Sequence, residues 1–349
     1  MTTIYLVRHA EAEGNLYRIA QGHYNGIITP RGYTQLAALK KRFESVHIDA
    51  VYSSDLFRAR TTARAIYEPK GLQVRLDREL REVNMGCWEG KTWQELTMSD
   101  PQQMYNFNRD LSKWVIEDGE SVADARDRMV AALKRIAAEN EGKTVAVVSH
   151  GAVLRITLGT LQGLTLEELG QTPHGDNTAV SCLEWDGETL RVVYRDDNSH
   201  LVEAGASTFA KQKWWKSEKM FDNGQYYLPM SAEAAAALAE LGCTVPQEGR
   251  SIAVYMDGKV IGLVQLLTDR TADGIGWVGQ YWIAPEYRGR GLGIPPLGQA
   301  VQYFRAAGCD RLRLRCEDAQ YRGFWEKYGF YAVEEDILEQ YFGYEDKAL

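Results

Sequence analysis

Residues Ile4–Asn15 read IYLVRHAEAEGN, and the fold turns on this stretch. Four apolar residues run directly into Arg8, His9 and two acids. The apolar run belongs inside a sheet, whereas a cation beside an imidazole belongs in a core only where something requires both. Open α/β sheets hold their ligands at the C-terminal ends of strands, and Arg8-His9 falls at such an end.

Outward from there, short β-rich runs alternate with amphipathic patterns over the first two hundred residues, which predicts a layered α/β sheet. Strands are expected at Thr3–Val7, Ala50–Ser53, Thr144–Ser149, Val180–Trp185 and Leu190–Tyr194. Thr29-Pro30 forms an N-cap and first-position proline ahead of Leu36, Leu39 and Phe43. Ser121 with Asp124 resembles a capping box before Val122, Met129, Leu133 and Ile136. Asp186-Gly187 marks a hairpin. After RDDNSHL the texture changes, and an amphipathic segment carries Trp214 and Trp215. A helix (Ala232–Leu241), strands at Ile252–Met256, Val260–Leu267 and Gly276–Ile283, a helix after Gly293 and a strand at Arg311–Cys316 follow, with Asp257-Gly258 as a second hairpin turn. The boundary is placed near residues 200–207, giving domains 1–203 and 204–349.

A chain of 349 residues with 45% hydrophobic content is long enough for two cores. Its net charge of -8 argues against a nucleic-acid partner. Cys87, Cys182, Cys243, Cys309 and Cys316 contain no CxxC pair, which fits reduced thiols better than a disulfide framework or a zinc site. The N-terminus lacks a basic n-region, and no window approaches the roughly 20 apolar residues of a membrane helix. The expectation is a cytoplasmic protein with neither membrane nor nucleic-acid partner.

Three other strand ends resemble the first. VYSSDLFRARTTA places Arg58 near a helix start, ELREVNMGCWEG places Glu82 in a Gly-rich loop, and VAVVSHGAVLR runs a strand into His150 and Gly151. Two imidazoles, two guanidiniums and a carboxylate fit one reaction. Cations bind a phosphomonoester, a neutral imidazole attacks phosphorus in line, and fixed positive charge stabilises the transferring oxygens without a metal. An acid protonates the leaving alkoxide and later activates water, and Glu82 beside a bound anion should hold its proton more tightly than a free glutamate.

The ordered set RHA…SSxxxRAxxTA…LRExxxGxWEG…VSHG resembles the histidine phosphatase, or phosphoglycerate-mutase-like, superfamily over roughly Met1 to Leu201. The resemblance implies a three-layer α/β/α fold and a phosphohistidine intermediate. By motif, His9 is the implied nucleophile, Arg8, Arg58 and His150 hold the phosphoryl group, and Glu82 is the proton donor. Asn15 and Gly151 are implied phosphate contacts, and Gln21-Gly22 a substrate-side loop. Ala10 departs from the usual glycine. Only about sixty residues separate Glu82 from Val145, too few for the insertion that the family's mutases carry, so a phosphatase is favoured over a phosphoglycerate-type mutase. His23 is a candidate for the pocket mouth, while His47, His174 and His200 read as structural or exposed, and no pair has metal-ligand spacing.

The second informative stretch is GQYWIAPEYRGRGLGIPPLGQAVQYF, where a strand ends at Ile283 and Arg288-Gly289-Arg290-Gly291-Leu292-Gly293-Ile294 leads into a helix. Glycines and free amides there suit a pyrophosphate. The GxGxxG and Walker patterns both fail. With DAQYRGFWEKYGF, this R-x-x-G-x-G frame resembles the GNAT acetyltransferase family from about Tyr226 to Val333. The resemblance implies an α+β fold with a splayed mixed sheet, acetyl-CoA as cofactor, Ile283 backbone pairing with pantetheine, and amides of Gly289 to Ile294 on the pyrophosphate. Asp318 and Trp325 stand where asparagine and the thiolate-protonating tyrosine are usual, leaving Tyr321, Tyr328, Glu317 and Asp318 as candidates. The chain therefore reads as a phosphomonoesterase fused to an N-acetyltransferase acting on an unidentified amine. The alternative makes the second half a non-catalytic acetyl-CoA-binding module that regulates or dimerises the first.

Overall fold

The computed structural model describes residues 1–170, 172–208 and 224–345. Trp214 and Trp215 lie outside the described residues. The first sheet has six strands in the order β3-β2-β4-β1-β5-β6: β1 Thr2–Arg8, β2 Ala50–Ser53, β3 Val74–Leu76, β4 Thr144–Ser149, β5 Val180–Trp185 and β6 Leu190–Asp197. β1 to β4 are mutually parallel, whereas β5 and β6 add antiparallel strands at one side. The helices are α1 Glu13–Tyr17, α2 Pro30–Phe43, α3 Phe57–Tyr67, α4 Trp93–Ser99, α5 Pro101–Arg109, α6 Val122–Glu139, α7 Gly151–Leu161, α8 Leu166–Leu169 and α9 Ser199–Glu203.

Alternation along β4 makes this a three-layer fold. Val145 and Val147 join Leu133, Ile136 and Ile156 of α6 and α7 in one core, while Ala146 and Val148 join Leu36, Leu39 and Ile66 of α2 and α3 in another. Thr29 Oγ1 caps α2 by accepting from the Gly32 amide. Ser121 accepts from the Asp124 amide, but its hydroxyl donates to the Asp124 carboxylate, which replaces the reciprocal arm of a capping box.

The second sheet has seven strands in the order β12-β13-β11-β10-β9-β8-β7. They span β7 Gln225–Pro229, β8 Arg250–Met256, β9 Lys259–Leu266, β10 Ile275–Ile283, β11 Arg311–Arg315, β12 Tyr331–Ala332 and β13 Ile337–Tyr341, with helices α10 Ala232–Glu240, α11 Leu297–Ala306 and α12 Arg322–Lys327. Only β10 and β11 are parallel. Their pairing stops at Val278–Leu314 although β10 runs on to Ile283, and a register shift between Val278 and Tyr281 bends β10 against β9. The sheet is therefore mixed and splayed. The helix expected after Gly293 begins at Leu297, with Pro295 and Pro296 in the turn before it.

One apolar core crosses the two halves. Leu16, Tyr17, Ile19, Ile27 and Phe57 from the first pack with Leu297, Val301 and Phe304 on α11 in the second.

Candidate active site

Parallel β1 and β4 place Arg8 opposite Ser149, so the residues that follow, His9 and His150, emerge side by side. The His9 amide donates to the Ser149 carbonyl at 2.9 Å, and the two rings lie 5.3 Å apart between centroids. Both are buried. His9 Nδ1 sits 2.7 Å from the Ala10 carbonyl, and a carbonyl only accepts, so Nδ1 carries the ring proton and Nε2 keeps its lone pair. Burial, then the Arg58 and Arg8 guanidiniums, hold the His9 pKa well below the usual histidine range.

His150 Nε2 lies 2.8 Å from Ser54 Oγ, and its buried Nδ1 has no hydrogen-bond partner among the described residues. Burial, then Arg58, also pushes its pKa well below the ordinary value. A neutral His150 that accepts from the Ser54 hydroxyl carries its proton on Nδ1, a donor for a phosphoryl oxygen.

Arg58 enters from the first turn of α3 and is fully buried. Nη1 donates to the Tyr24 carbonyl and Nη2 to the Gly22 carbonyl, each at 2.7 Å. Neutral carbonyls position the guanidinium without cancelling its charge. Nε and the second hydrogen on each Nη are left for an anion. Burial lowers the Arg58 pKa to about 10, opposed by Glu82 and Glu89, so it stays cationic at neutral pH. Arg8 Nη1 donates to the Gly175 carbonyl at 2.5 Å. Its guanidinium lies across Gly151, where an added Cβ would fall 3.0 Å from Cζ, so glycine at the start of α7 makes room for the cation.

Glu82 is held by backbone amides. Oε1 accepts from Val83 at 3.0 Å and Val153 at 2.7 Å, and Oε2 accepts from Ala152 at 2.9 Å. The last two amides belong to the first turn of α7, directly after His150, so one helix start ties carboxylate and imidazole together. Arg128 Nη2 and His23 Nε2 donate to the Glu82 carbonyl at 2.8 and 3.0 Å. Asn15 Oδ1 accepts from the Ala12 amide, leaving its amide nitrogen for a ligand. Gly22 has φ +48, and a Cβ there would meet Glu89 Oε1 at 2.3 Å, so both space and backbone demand glycine. Gln21 lies across Gly14.

Asn177 was not legible as a site residue. It is buried, and its Nδ2 donates to the His9 carbonyl at 3.0 Å, while Thr178 adopts φ 60 to return its amide to the Arg8 carbonyl. The one signal was a polar run, DNT, directly before an apolar strand. Ser54 and Arg128 also support the site without having been singled out. His174 is solvent-exposed and its Nε2 accepts from Arg155 Nη1 at 3.1 Å, and His47 is exposed and pairs with Asp49.

In the second half, Gln225 Nε2 donates to the Leu292 carbonyl at 2.8 Å and the Tyr281 hydroxyl to the Gly293 carbonyl at 2.5 Å. In a trans peptide the next N–H points the opposite way, so the amides of Gly293 and Ile294 face away from these buried partners. Leu292 and Ile294 are buried anchors, while Gly289 and Gly291, at φ 69 and 75, would place a Cβ in open space. This loop fits a pyrophosphate. The Ile283 carbonyl, expected to pair with pantetheine, already accepts from Arg288 Nε at 2.7 Å, because Arg288 folds back over Trp282. Arg290 packs over Tyr287. Trp325 is buried edge-on to Tyr281 and Phe330, Tyr321 accepts from Arg288 Nη1 at 3.0 Å, and Asp318 caps the next turn.

An α/β/α sheet with paired imidazoles at its centre and a splayed sheet with an exposed glycine loop define a two-part protein of phosphatase and acetyltransferase type. Residues 4–198 match the histidine phosphatase superfamily (branch 1) and residues 212–330 the acetyltransferase (GNAT) family. The chain belongs to the histidine phosphatase superfamily and carries a GNAT domain after it. It is 30% identical over 200 residues, 57% of this chain and 98% of the relative, to "Putative phosphoserine phosphatase 2" of Hydrogenobacter thermophilus. It is 35% identical over 164 residues, 47% of this chain and 76% of the relative, to "Probable phosphoglycerate mutase GpmB" of Serratia proteamaculans. Among solved structures, Bacillus stearothermophilus YhfR superposes with a TM-score of 0.56 at 33% identity, covering 58% of this chain and all of that one. Among the described residues, no helix is long and apolar enough to cross a membrane.

Proposed function

We propose that the chain is a bifunctional enzyme whose residues 1–203 hydrolyse a small phosphomonoester through a phosphohistidine and whose residues 204–349 transfer an acetyl group from acetyl-CoA to an amine. The observation that carries the first half is the bare Nε2 of His9, its tautomer set by the Nδ1 bond to Ala10 and its ring kept neutral by burial, Arg58 and Arg8. Nε2 attacks phosphorus, the ester P–O bond breaks, and Glu82 protonates the departing alkoxide. Water then attacks the phosphohistidine, Glu82 takes its proton, and inorganic phosphate leaves with His9 restored. Arg8, Arg58, His150 and Asn15 stabilise the transferring oxygens, so the donor set asks for no metal. Gln21-Gly22, with His23 nearby, borders the substrate.

The relatives' printed names divide between phosphatase and mutase. The short span between Glu82 and β4 favours hydrolysis. In the second half, acetyl-CoA supplies the activated acetyl thioester, the amides of Gly289 to Ile294 face its pyrophosphate, and the Ile283 backbone borders its pantetheine arm. With Trp325 buried, Tyr321, whose hydroxyl accepts from Arg288 Nη1, is the candidate to protonate the thiolate. A cytoplasmic location fits both substrates.

A phosphate-release screen over sugar phosphates, nucleotides and phosphoamino acids tests the first half. Release should survive excess chelator and need no bisphosphate primer, and strict dependence on added divalent metal contradicts the mechanism. CoA release across an amine panel tests the second. Acetyl-CoA binding that alters phosphate release without turnover selects the regulatory module instead.

A further inference from the structure

The GNAT half grips the loop that aims Arg58. α11 turns one face to its own sheet and the other to the phosphatase half. Gly298, Gln302 and Arg305 lie one helical turn apart on that outer face. A Cβ on Gly298 would fall 2.6 Å from Tyr17 Cγ, and a Cβ on Gly90 would fall 3.2 Å from Gln302 Oε1, so the contact is close packed. At the end of this face, Arg305 Nη2 meets Glu13 Oε1 at 2.9 Å, and Nη1 donates to the Tyr24 hydroxyl at 2.8 Å. Nη2 also donates to the Phe342 carbonyl, which ties the same guanidinium to its own domain.

Tyr24 is the junction. Its hydroxyl is held by Arg305, and its backbone carbonyl accepts from Arg58 Nη1. One residue on, the Asn25 carbonyl accepts from the Tyr344 hydroxyl at 2.5 Å, while Asn25 Oδ1 accepts from the Phe57 amide directly before Arg58. The Tyr344 ring also lies 5.4 Å from that of Phe57. A short loop thus holds the Arg58 guanidinium on its inner side and is held by two C-terminal side chains on its outer side. An anion site loses affinity when a fixed donor swings by a fraction of an ångström, so the outer grip bears on the inner geometry.

We infer that Arg305 and Tyr344 are positioning residues of the phosphatase pocket, setting through Tyr24 and Asn25 the orientation in which Arg58 meets the phosphoryl group. The inference rests on the reading of Arg58 as a phosphate ligand. It makes the GNAT half part of the phosphatase machinery, whatever that half acetylates.

The test uses the full chain, inorganic phosphate as competitive inhibitor and p-nitrophenyl phosphate as substrate. Truncating Arg305 strands buried Glu13, so the informative variants are Tyr24→Phe, Tyr344→Phe and Arg305→Lys, which remove one hydroxyl or the planar fork. Each should raise the phosphate inhibition constant and KM about 5- to 20-fold, with kcat within about 2-fold. In an Arg58→Lys background, Tyr24→Phe should cost nothing further, because its route to phosphate is gone. Unchanged phosphate affinity in all three variants, or an undiminished loss in the Arg58→Lys background, overturns the inference while leaving the phosphatase reading intact. A wild-type chain that neither binds nor releases phosphate overturns both.

Discussion

At the residue scale, protonation is set by contacts that leave a single arrangement. The Ala10 carbonyl fixes the His9 tautomer, and burial with two guanidiniums keeps the ring neutral. His9, His150 and His200 are all buried and all depressed, mainly by burial, the last to about 4. The sign follows directly. Below the unfolded value near 6.5, the unfolded chain binds protons that the native chain does not, so stability is full above that value and falls as the solution is acidified. Each such histidine adds about 1.4 kcal/mol per pH unit to the loss until its native value is reached. Urea midpoints should drop steeply from pH 7 to pH 5, and the His9 ring should show no NMR titration over that range. A ring titrating near 6.5 contradicts the buried, neutral nucleophile. Glu82 is testable through its leaving group. Glu82→Gln should slow an alkyl phosphate by about 100-fold or more and nitrophenyl phosphate far less, because only the alkoxide needs a proton. Equal losses remove Glu82 from that role. His9, Arg58, Glu82 and His150 were legible because each interrupts an apolar pattern. Asn177 and Ser54 were not, because their partners are backbone atoms and a ring brought near only by folding.

At the element scale, two strand ends and one helix start organise the phosphatase pocket, and a glycine loop ahead of α11 organises the other. Gly291 has φ 75 and no neighbour to clash with. Gly291→Ala therefore acts through backbone strain alone, a cost of about 1 kcal/mol or more, and should weaken acetyl-CoA about 5-fold or more by calorimetry with phosphatase rates unchanged. Unaltered binding places the pyrophosphate elsewhere. Central strands were readable because β1 and β4 are buried on both faces and show as continuous apolar runs. β3 escaped notice as a three-residue edge strand that is mostly exposed. β13 escaped because it buries Glu339, paired with Arg313 at 2.7 Å and Tyr331 at 2.7 Å, so no apolar alternation survives in its sequence. Tyr281 and Gln225 shape the glycine loop by bonding its carbonyls, a role that their positions in strands do not announce.

At the scale of the whole molecule, the two halves meet through an apolar core and through Arg305. Breaking the buried Arg305–Glu13 pair from one side should cost about 3–5 kcal/mol, enough to lower thermal stability visibly. The two-part architecture was legible from a change of texture near residue 200 and from two independent motif sets. Their packing was not, because Gly298 and Gln302 on α11, and Gly90 and Tyr24 opposite them, carry no pattern that marks an interface. The central claim is that phosphorus passes through the ring of His9. Rapid acid-free quench of the enzyme with a turned-over phosphomonoester, followed by peptide mass analysis, reads this directly. A phosphoryl group on the peptide carrying His9, formed as fast as the enzyme turns over and absent from His9→Ala, is the predicted result. Sustained turnover with no phosphorus on that ring, or with His9→Ala still active, would contradict it.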